Sequence, residues 1–390
     1  MESLYRKYRP LTFESVVGQQ HIVSTLEHAV AEGRLSHAYL FCGPRGTGKT
    51  TMARILAKAL LCEKAEGARA AGATGCNPDG TCPECTAIAE GTHPDVYELD
   101  AASRTGVDNV REEIINSVSF APVRGAYKVY IIDEVHMLTT QAFNALLKTL
   151  EEPPAGVTFI LLGSSADVML PTIVSRCQCV PFRPLSLEDA ATAVEHATGL
   201  PAGKCRMAVA VAGSPARAVE FLKSGDRQAA RRAMVRAVDL LAHADEADIL
   251  AAAKDLMGAI KAPLAEVKST QQAVLEQNQD YLSRGALKQL EDRNKRELNA
   301  RERSGIMEAL ASVRSLLRDA LVRLASESEP VVNEDVSDVV ERIAARVTVT
   351  GVTRALDAVS SAEARIARNV TPQLAIEVML FDIRKALQCP

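Results

Sequence analysis

The sequence predicts a parallel α/β domain covered on both faces in its first half and an all-helical second half, and three observations carry that reading. Four short, bounded apolar runs, at 38–42, 96–99, 129–132 and 157–162, are each followed by helix-like sequence. That is the pattern of strands buried on both sides of a sheet. A glycine-rich stretch, GPRGTGKT at 43–50, joins the first run directly to the helix-like TMARILAKALL. Beyond Ser186 strand signals nearly vanish, and Ala, Leu, Arg and Glu dominate.

A length of 390 residues predicts two or three domains with sizeable cores. The boundaries are expected at 1–182, 183–225 and 226–390. Prolines at 181 and 184 punctuate the first block, and Ser-Leu-Glu-Asp at 186–189 starts a compact helical stretch in the manner of a cap. Further on, Met307, Leu310, Val313, Leu317, Ala320, Leu321 and Leu324 recur at three or four, the stripe of an amphipathic helix in a bundle. KQLEDRNKRELNARER at 288–303 interleaves acids with bases, so it reads as a solvated helix face or hairpin rather than a nucleic-acid patch.

Charged residues make up 24% and hydrophobic residues 47%, ordinary for a soluble globular protein. No apolar run approaches the ~18 residues of a membrane span, and the opening MESLYR does not read as a signal peptide. The expectation is a cytoplasmic protein whose nine cysteines serve metal ligation or packing rather than disulfides. A net charge of −4 gives no global field for nucleic acid. The lack of tryptophan, with only 4% aromatics, argues against a base-stacking groove of the single-strand-binding kind.

The stretch 43–50 matches G-x-x-x-x-G-K-[ST], with strand, loop and helix in the required order. Glycines let backbone N–H groups wrap phosphates, and the helix start adds the positive end of its dipole. Gly43, Pro44, Arg45, Gly46, Thr47, Gly48, Lys49, Thr50 and Thr51 are therefore expected to cradle a nucleotide, with Lys49 on the β- and γ-phosphates and Thr50 on Mg²⁺. Some 80 residues on, KVYIIDEVHML ends an apolar strand in two carboxylates. Asp133 suits the Mg²⁺ shell and Glu134 suits polarising an attacking water, while His136 reads as a packed or solvated histidine. Ser164, with Ser165 close behind, ends the next strand where a polar group faces the γ-phosphate; the alternative is a plain turn serine. Cys62, Cys76, Cys82 and Cys85 form C-x13-C-x5-C-x2-C on the loop 62–85 and are expected to hold structural zinc, the alternative being free thiols.

Together these motifs resemble an AAA+ ATPase of the bacterial clamp-loader family. YRKYRPLTFESVVGQQHIVSTLEHAVAEGRLSHAYLFCGPRGTGKTTMARILAKAL, LDAASRTGVDNVREEI, YKVYIIDEVHMLTTQAFNALLKTLEEPP and SRC look like the gamma/tau subunit of DNA polymerase III over roughly residues 3–182. The second half departs from it: GSPARAVEFL has Ala216 where gamma/tau carries a sensor arginine and Arg217 one place later. There, and in ALKQLEDRNKRELNARERSGIMEALASVRSLLRDAL, the chain looks more like a delta prime subunit. The resemblance implies an AAA+ P-loop ATPase domain, a small helical lid and an all-α C-terminal collar.

It also implies a subunit that binds and hydrolyses ATP to load a sliding clamp onto primed DNA, with delta and gamma/tau as ring partners and ATP, Mg²⁺ and Zn²⁺ as cofactors. The runner-up is a non-hydrolysing stator subunit of the same complex. A different AAA+ machine, such as a branch-migration helicase, is opposed by the cysteine loop and the SRC motif. Family positions matching Arg104 and Thr105 face the DNA backbone, where a helix start suits sequence-independent phosphate binding; a simple helix cap is the alternative. Arg217 is implied either as a nucleotide sensor or as a helix-surface arginine.

Arg176 in the SRC motif answers a separate need. Lys49 and Mg²⁺ cover one side of the phosphates, and charge developing in the transition state calls for a cation on the open side. In the family this arginine reaches the ATP of the adjacent subunit, the alternative being a pair with a local carboxylate.

Overall fold

Alternation along buried strands sets the architecture of the first half. This computed structural model describes residues 9–70, 77–101, 114–278, 283–326 and 329–387. The chain divides into two compact units, Met1–Ala197 and Thr198–Pro390.

In the first unit β1 (Ala38–Cys42), β2 (Val96–Asp100), β3 (Lys128–Asp133), β4 (Val157–Gly163) and β5 (Gln178–Pro181) form one sheet in the order β2-β3-β4-β1-β5. Every pairing is parallel. Tyr39, Phe41, Val129, Ile131, Ile160 and Leu162 face one core, while Leu40, Tyr130, Ile132, Phe159 and Leu161 face the other. The first core is closed by α1 (Gln20–Ala31) and α2 (Lys49–Leu61), through Leu26, Ile55 and Leu56. The second is closed by α3 (Thr140–Glu151), capped by the Thr139 side chain and packing Phe143, Leu146 and Leu150. Tyr97, Tyr130 and Phe159 stack across β2, β3 and β4 with ring centroids 4.9 and 5.2 Å apart.

The strand β5 is absent from the sequence reading, which ends the strands at 157–162. Its burial explains the omission: only Val180 of Gln178–Pro181 is buried, so no apolar run announces it. Hydrogen bonding to β1 along an edge holds it instead, with Phe182 N–H donating to Cys42 O at 2.6 Å.

Among its described residues the second unit holds helices joined by turns and no strand. Its two longest helices are α4 (Glu246–Asn278) and α5 (Arg284–Ala325), 33 and 42 residues long. Leu310, Val313, Leu317 and Ala320 of the expected stripe are buried, and Met307, Leu321 and Leu324 pack at its margin. The charged stretch 288–303 lies on α5 with no buried residue, as a solvated helix face. Among the described residues no helix is long and apolar enough to cross a membrane.

Candidate functional site

The order of the strands assembles the site. Because β4 lies between β3 and β1, the residues leaving the carboxyl ends of these three strands meet at one edge. The loop 43–48 leaves β1, Asp133 ends β3 and Ser164 follows β4. Gly43 N–H donates to Gly163 O at 3.2 Å, which fixes the glycine-rich loop beside the strand end that carries Ser164.

The loop turns on its glycines. A Cβ on Gly43 would stand 2.4 Å from Phe182 O and 2.8 Å from Phe182 Cβ, so the loop passes directly against the chain leaving β5. Gly48 caps α2 in the left-handed region at φ 94°, and a Cβ there would meet nothing within 4 Å. This leaves open space at a helix N-terminus, a place where backbone N–H groups can meet an anion.

Side chains converge on the same edge. Lys49 Nζ donates to Gly43 O at 2.6 Å and to Pro44 O at 2.8 Å. Burial holds its pKa below the usual lysine value, opposed by the nearby Glu134 and Asp133 carboxylates. Thr50 Oγ1 donates to Asp133 Oδ2 at 3.0 Å, so both oxygens expected on Mg²⁺ sit within one ion's reach. The other Asp133 oxygen accepts the Glu134 N–H at 2.8 Å, and Glu134 itself takes the left-handed conformation at φ 47°, unusual for a residue with a Cβ. Arg45 grips Glu134: its Nε and Nη2 both approach Oε1 at 2.7 Å. His136 is partly buried beside the same carboxylate, with Nδ1 3.5 Å from Oε2.

Ser164 is exposed at the end of β4, whereas Ser165 is engaged in a local turn with Asp167. Thr51 continues α2 in a half-buried position. Arg176 lies just beyond the helical turn Pro171–Val174; its Nη1 donates to Thr172 O at 2.9 Å and its Nη2 pairs with Glu151 Oε1 at 2.5 Å. Within this chain the local carboxylate is therefore real, and it is the last residue of α3. Arg217 belongs to the second unit, where its Nη2 donates to Ser304 Oγ at 2.6 Å and Glu308 Oε1 at 3.1 Å. Arg104 and Thr105 lie outside the described residues.

The sequence reading missed Gln19. It is buried, and its Nε2 donates to Arg183 O at 2.7 Å and to Thr47 O at 3.4 Å, tying the glycine-rich loop to the segment after β5. A Gly-Gln pair ahead of a helix carries no signal of this, since the contact spans 164 residues.

Beside the far end of α2 the thiols of Cys62, Cys82 and Cys85 lie within 4.8 Å of one another and are buried; Cys76 lies outside the described residues. The sulfurs of Cys62 and Cys82 are 3.8 Å apart. Thiolates arranged tetrahedrally about an ion at ~2.3 Å stand about 3.8 Å from each other, so this donor set fits zinc. Burial pushes the Cys62 thiol up, but the N–H groups of Asp79, Ala65 and Lys64 aimed at its sulfur bring it below the usual value. Asp79 organises the loop: its carboxylate takes Lys64 Nζ, the Thr81 N–H and hydroxyl, and the Cys82 N–H. Those donors, Lys64 first, hold its pKa well below the carboxylate range.

Residues 18–186 match the family model described as DNA polymerase III, delta subunit, and residues 297–385 match DNA polymerase III, delta subunit, C terminal. The tau subunit of Bacillus subtilis DNA polymerase III is 52% identical over 182 residues, covering 47% of this chain and 31% of that one. The gamma subunit of Buchnera aphidicola is 42% identical over 193 residues, half of each chain. This chain thus spans between about a third and a half of the length of those relatives. A gamma subunit-related protein of Thermotoga maritima is similar over 93% of this chain and 99% of its own at 16% identity, with a TM-score of 0.35.

The two glycines make distinct predictions. Gly43→Ala should cost about 1–3 kcal/mol, because the new methyl meets backbone rather than a flexible side chain. Gly48→Ala should cost about 1–2 kcal/mol through its backbone conformation alone. Asparagine, which tolerates the left-handed region, should recover part of the loss at Gly48 and none at Gly43. Thermal unfolding of the four variants checks this; equal recovery at both positions contradicts it.

Proposed function

We propose that this chain, which belongs to the AAA+ subunits of bacterial DNA polymerase III clamp loaders, binds and hydrolyses ATP to load a sliding clamp onto primed DNA. The observation that carries the proposal is the convergence of Lys49, Thr50, Asp133, Glu134 and Ser164 at one edge of the sheet. Bound ATP–Mg²⁺ would supply the γ-phosphoryl electrophile and the metal charge that offsets its negative oxygens. The residues supply the rest. Lys49 neutralises the phosphates, Thr50 and Asp133 hold the ion, Glu134 orients a water, and Ser164 faces the γ-phosphate.

Two likenesses support a delta prime-like subunit with a gamma-like ATP site: the first half is similar to gamma/tau, and residues 297–385 match the family model for the C terminus of delta. On this reading 183–225 forms the lid and 226–390 the collar, the partners are delta, gamma/tau, the clamp and primed DNA, and the compartment is the cytoplasm. Arg104 and Thr105 would meet the phosphate backbone. The pairing of Arg217 with Ser304 and Glu308 favours a structural role in the second unit over a nucleotide sensor. The stator reading is not favoured, since each element of a working site is present. Arg176 is proposed to serve the ATP of the neighbouring subunit, leaving Glu151 for a γ-phosphate across the interface.

Lys49→Ala should abolish ATP binding, while Glu134→Gln should retain it and block turnover; equal binding by wild type and Lys49→Ala would favour a stator. Metal analysis of freshly purified, reduced protein should find one zinc per chain. Replacing Cys82 or Cys85 should release it and loosen the loop more than the ATP site, because structural zinc contributes folding energy locally; metal-free wild type sinks the assignment. Arg176→Ala should spare this chain's ATP binding yet lower clamp- and DNA-stimulated turnover at the neighbouring site by a factor on the order of 10³. The measurement needs a complex whose other sites are disabled, and unchanged turnover there contradicts the role.

A further inference from the structure

In the second unit a cavity of about 280 Å³ opens between the helices Pro215–Lys223 and Gly225–Leu240 and the long pair α4 and α5. Phe221, Ile260 and Leu264 give it apolar walls. Two charged side chains in its lining are almost fully buried, Glu308 at 5% and Arg231 at 4% exposure. Glu308 Oε1 accepts from Arg217 Nη2 at 3.1 Å and from Arg227 Nη1 at 3.4 Å, while Oε2 is buried with no hydrogen-bond partner among the described residues. Arg231 engages Asp335 and Asn333 through both Nη groups, and its Nε is likewise buried with no partner among those residues. Pro263, inside α4, has no N–H to offer Ala259 O one turn back, and both residues line the cavity. Buried polar atoms are rarely left unmet, because each loses its water without compensation. An acceptor and a donor orphaned beside one cavity mark a place built to receive a polar group.

We propose that this cavity is a binding site for a small, uncharged carboxamide carried on an apolar body. The two buried charges are already matched, Glu308 by Arg217 and Arg227, and Arg231 by Asp335. A charged ligand would upset that balance where water is scarce, so a neutral one is favoured. Glu308 Oε2 and Ala259 O call for N–H donors, and Arg231 Nε–H calls for an acceptor. A primary carboxamide holds two N–H donors and one carbonyl acceptor in a single plane, the same set. The apolar walls call for a hydrophobic remainder, as in small-molecule sites where a few polar groups fix orientation. The site shares no residue with the edge formed by Lys49, Thr50 and Asp133, so it stands or falls apart from the ATPase reading.

The test uses the full chain with benzamide as the probe, followed by saturation-transfer NMR. Benzamide should bind saturably, with a Kd of about 1 mM or tighter. Benzoate is charged and lacks N–H, and methyl benzoate keeps the carbonyl alone; both should bind at least roughly tenfold more weakly. Glu308→Gln should weaken benzamide by a similar factor. Arg217 and Arg227 keep the side-chain oxygen, so the new amide nitrogen turns inward and faces the N–H₂ of the ligand. Ala259→Leu decides the matter should Glu308→Gln not fold. It fills the cavity from a half-buried position on α4, and it should abolish binding while thermal unfolding stays cooperative. No saturable binding, the behaviour of a cavity that holds only water, overturns the proposal. Equal binding of the three probes overturns it too, as does benzamide affinity unchanged in either folded variant.

Discussion

The position of β4 between β3 and β1 is the constraint on which the rest depends. A parallel sheet buried on both faces leaves only its strand ends free for polar work, and this order brings the carboxyl ends of three strands into a single row. The glycine-rich loop leaves the first, the carboxylate pair ends the second, and Ser164 follows the third. Across that row Thr50 Oγ1 reaches Asp133 Oδ2 at 3.0 Å, joining residues 83 apart in sequence. The two cores serve this arrangement by burying the strands on both faces, which leaves their backbone groups no partner but one another.

Around that row, charge is balanced by neighbours rather than left bare. Lys49 rests on loop carbonyls, Thr50 on Asp133, Glu134 on Arg45 and Arg176 on Glu151. Each partnership is of a kind that a phosphate, a divalent ion or an adjoining protein surface could replace, because each offers the same charge type that such a ligand carries. The cysteine cluster is a separate problem with a similar solution. A loop too polar to pack alone is gathered by three buried thiols and by Asp79, which satisfies four donors from three residues. The N-terminal segment leans on this loop, with Phe13 N–H donating to Asn77 Oδ1 at 2.8 Å.

Much of this was legible in the sequence, and the boundary of legibility has a physical cause. Strands β1, β3 and β4 are continuous apolar runs because both faces are buried, so their short length and bounded ends find them without any alternation. β5 exposes three of its four residues and is held by backbone pairing, which leaves no trace in side-chain type. The phosphate loop, the Asp133–Glu134 pair and the Cys82–Cys85 half-site are local motifs whose chemistry fixes their spacing. Arg45 on Glu134, Glu151 on Arg176 and Gln19 on Arg183 are not: each joins residues far apart in sequence, and any charged or amide side chain reads as surface until the fold supplies its partner. Arg104, Thr105 and Cys76 were singled out by motif and resemblance, and they lie outside the described residues.

Lys49, Thr50 and Asp133 are proposed to make one edge of this sheet a nucleoside triphosphate site. A crystal structure of the chain with ATP and Mg²⁺ tests it most directly. In it Lys49 Nζ should leave the carbonyls of Gly43 and Pro44 for the β- and γ-phosphates, and Thr50 and Asp133 should move onto the ion while β1 and α2 keep their places. Nucleotide bound elsewhere, or phosphates out of reach of a Lys49 still seated on the loop carbonyls, would contradict it.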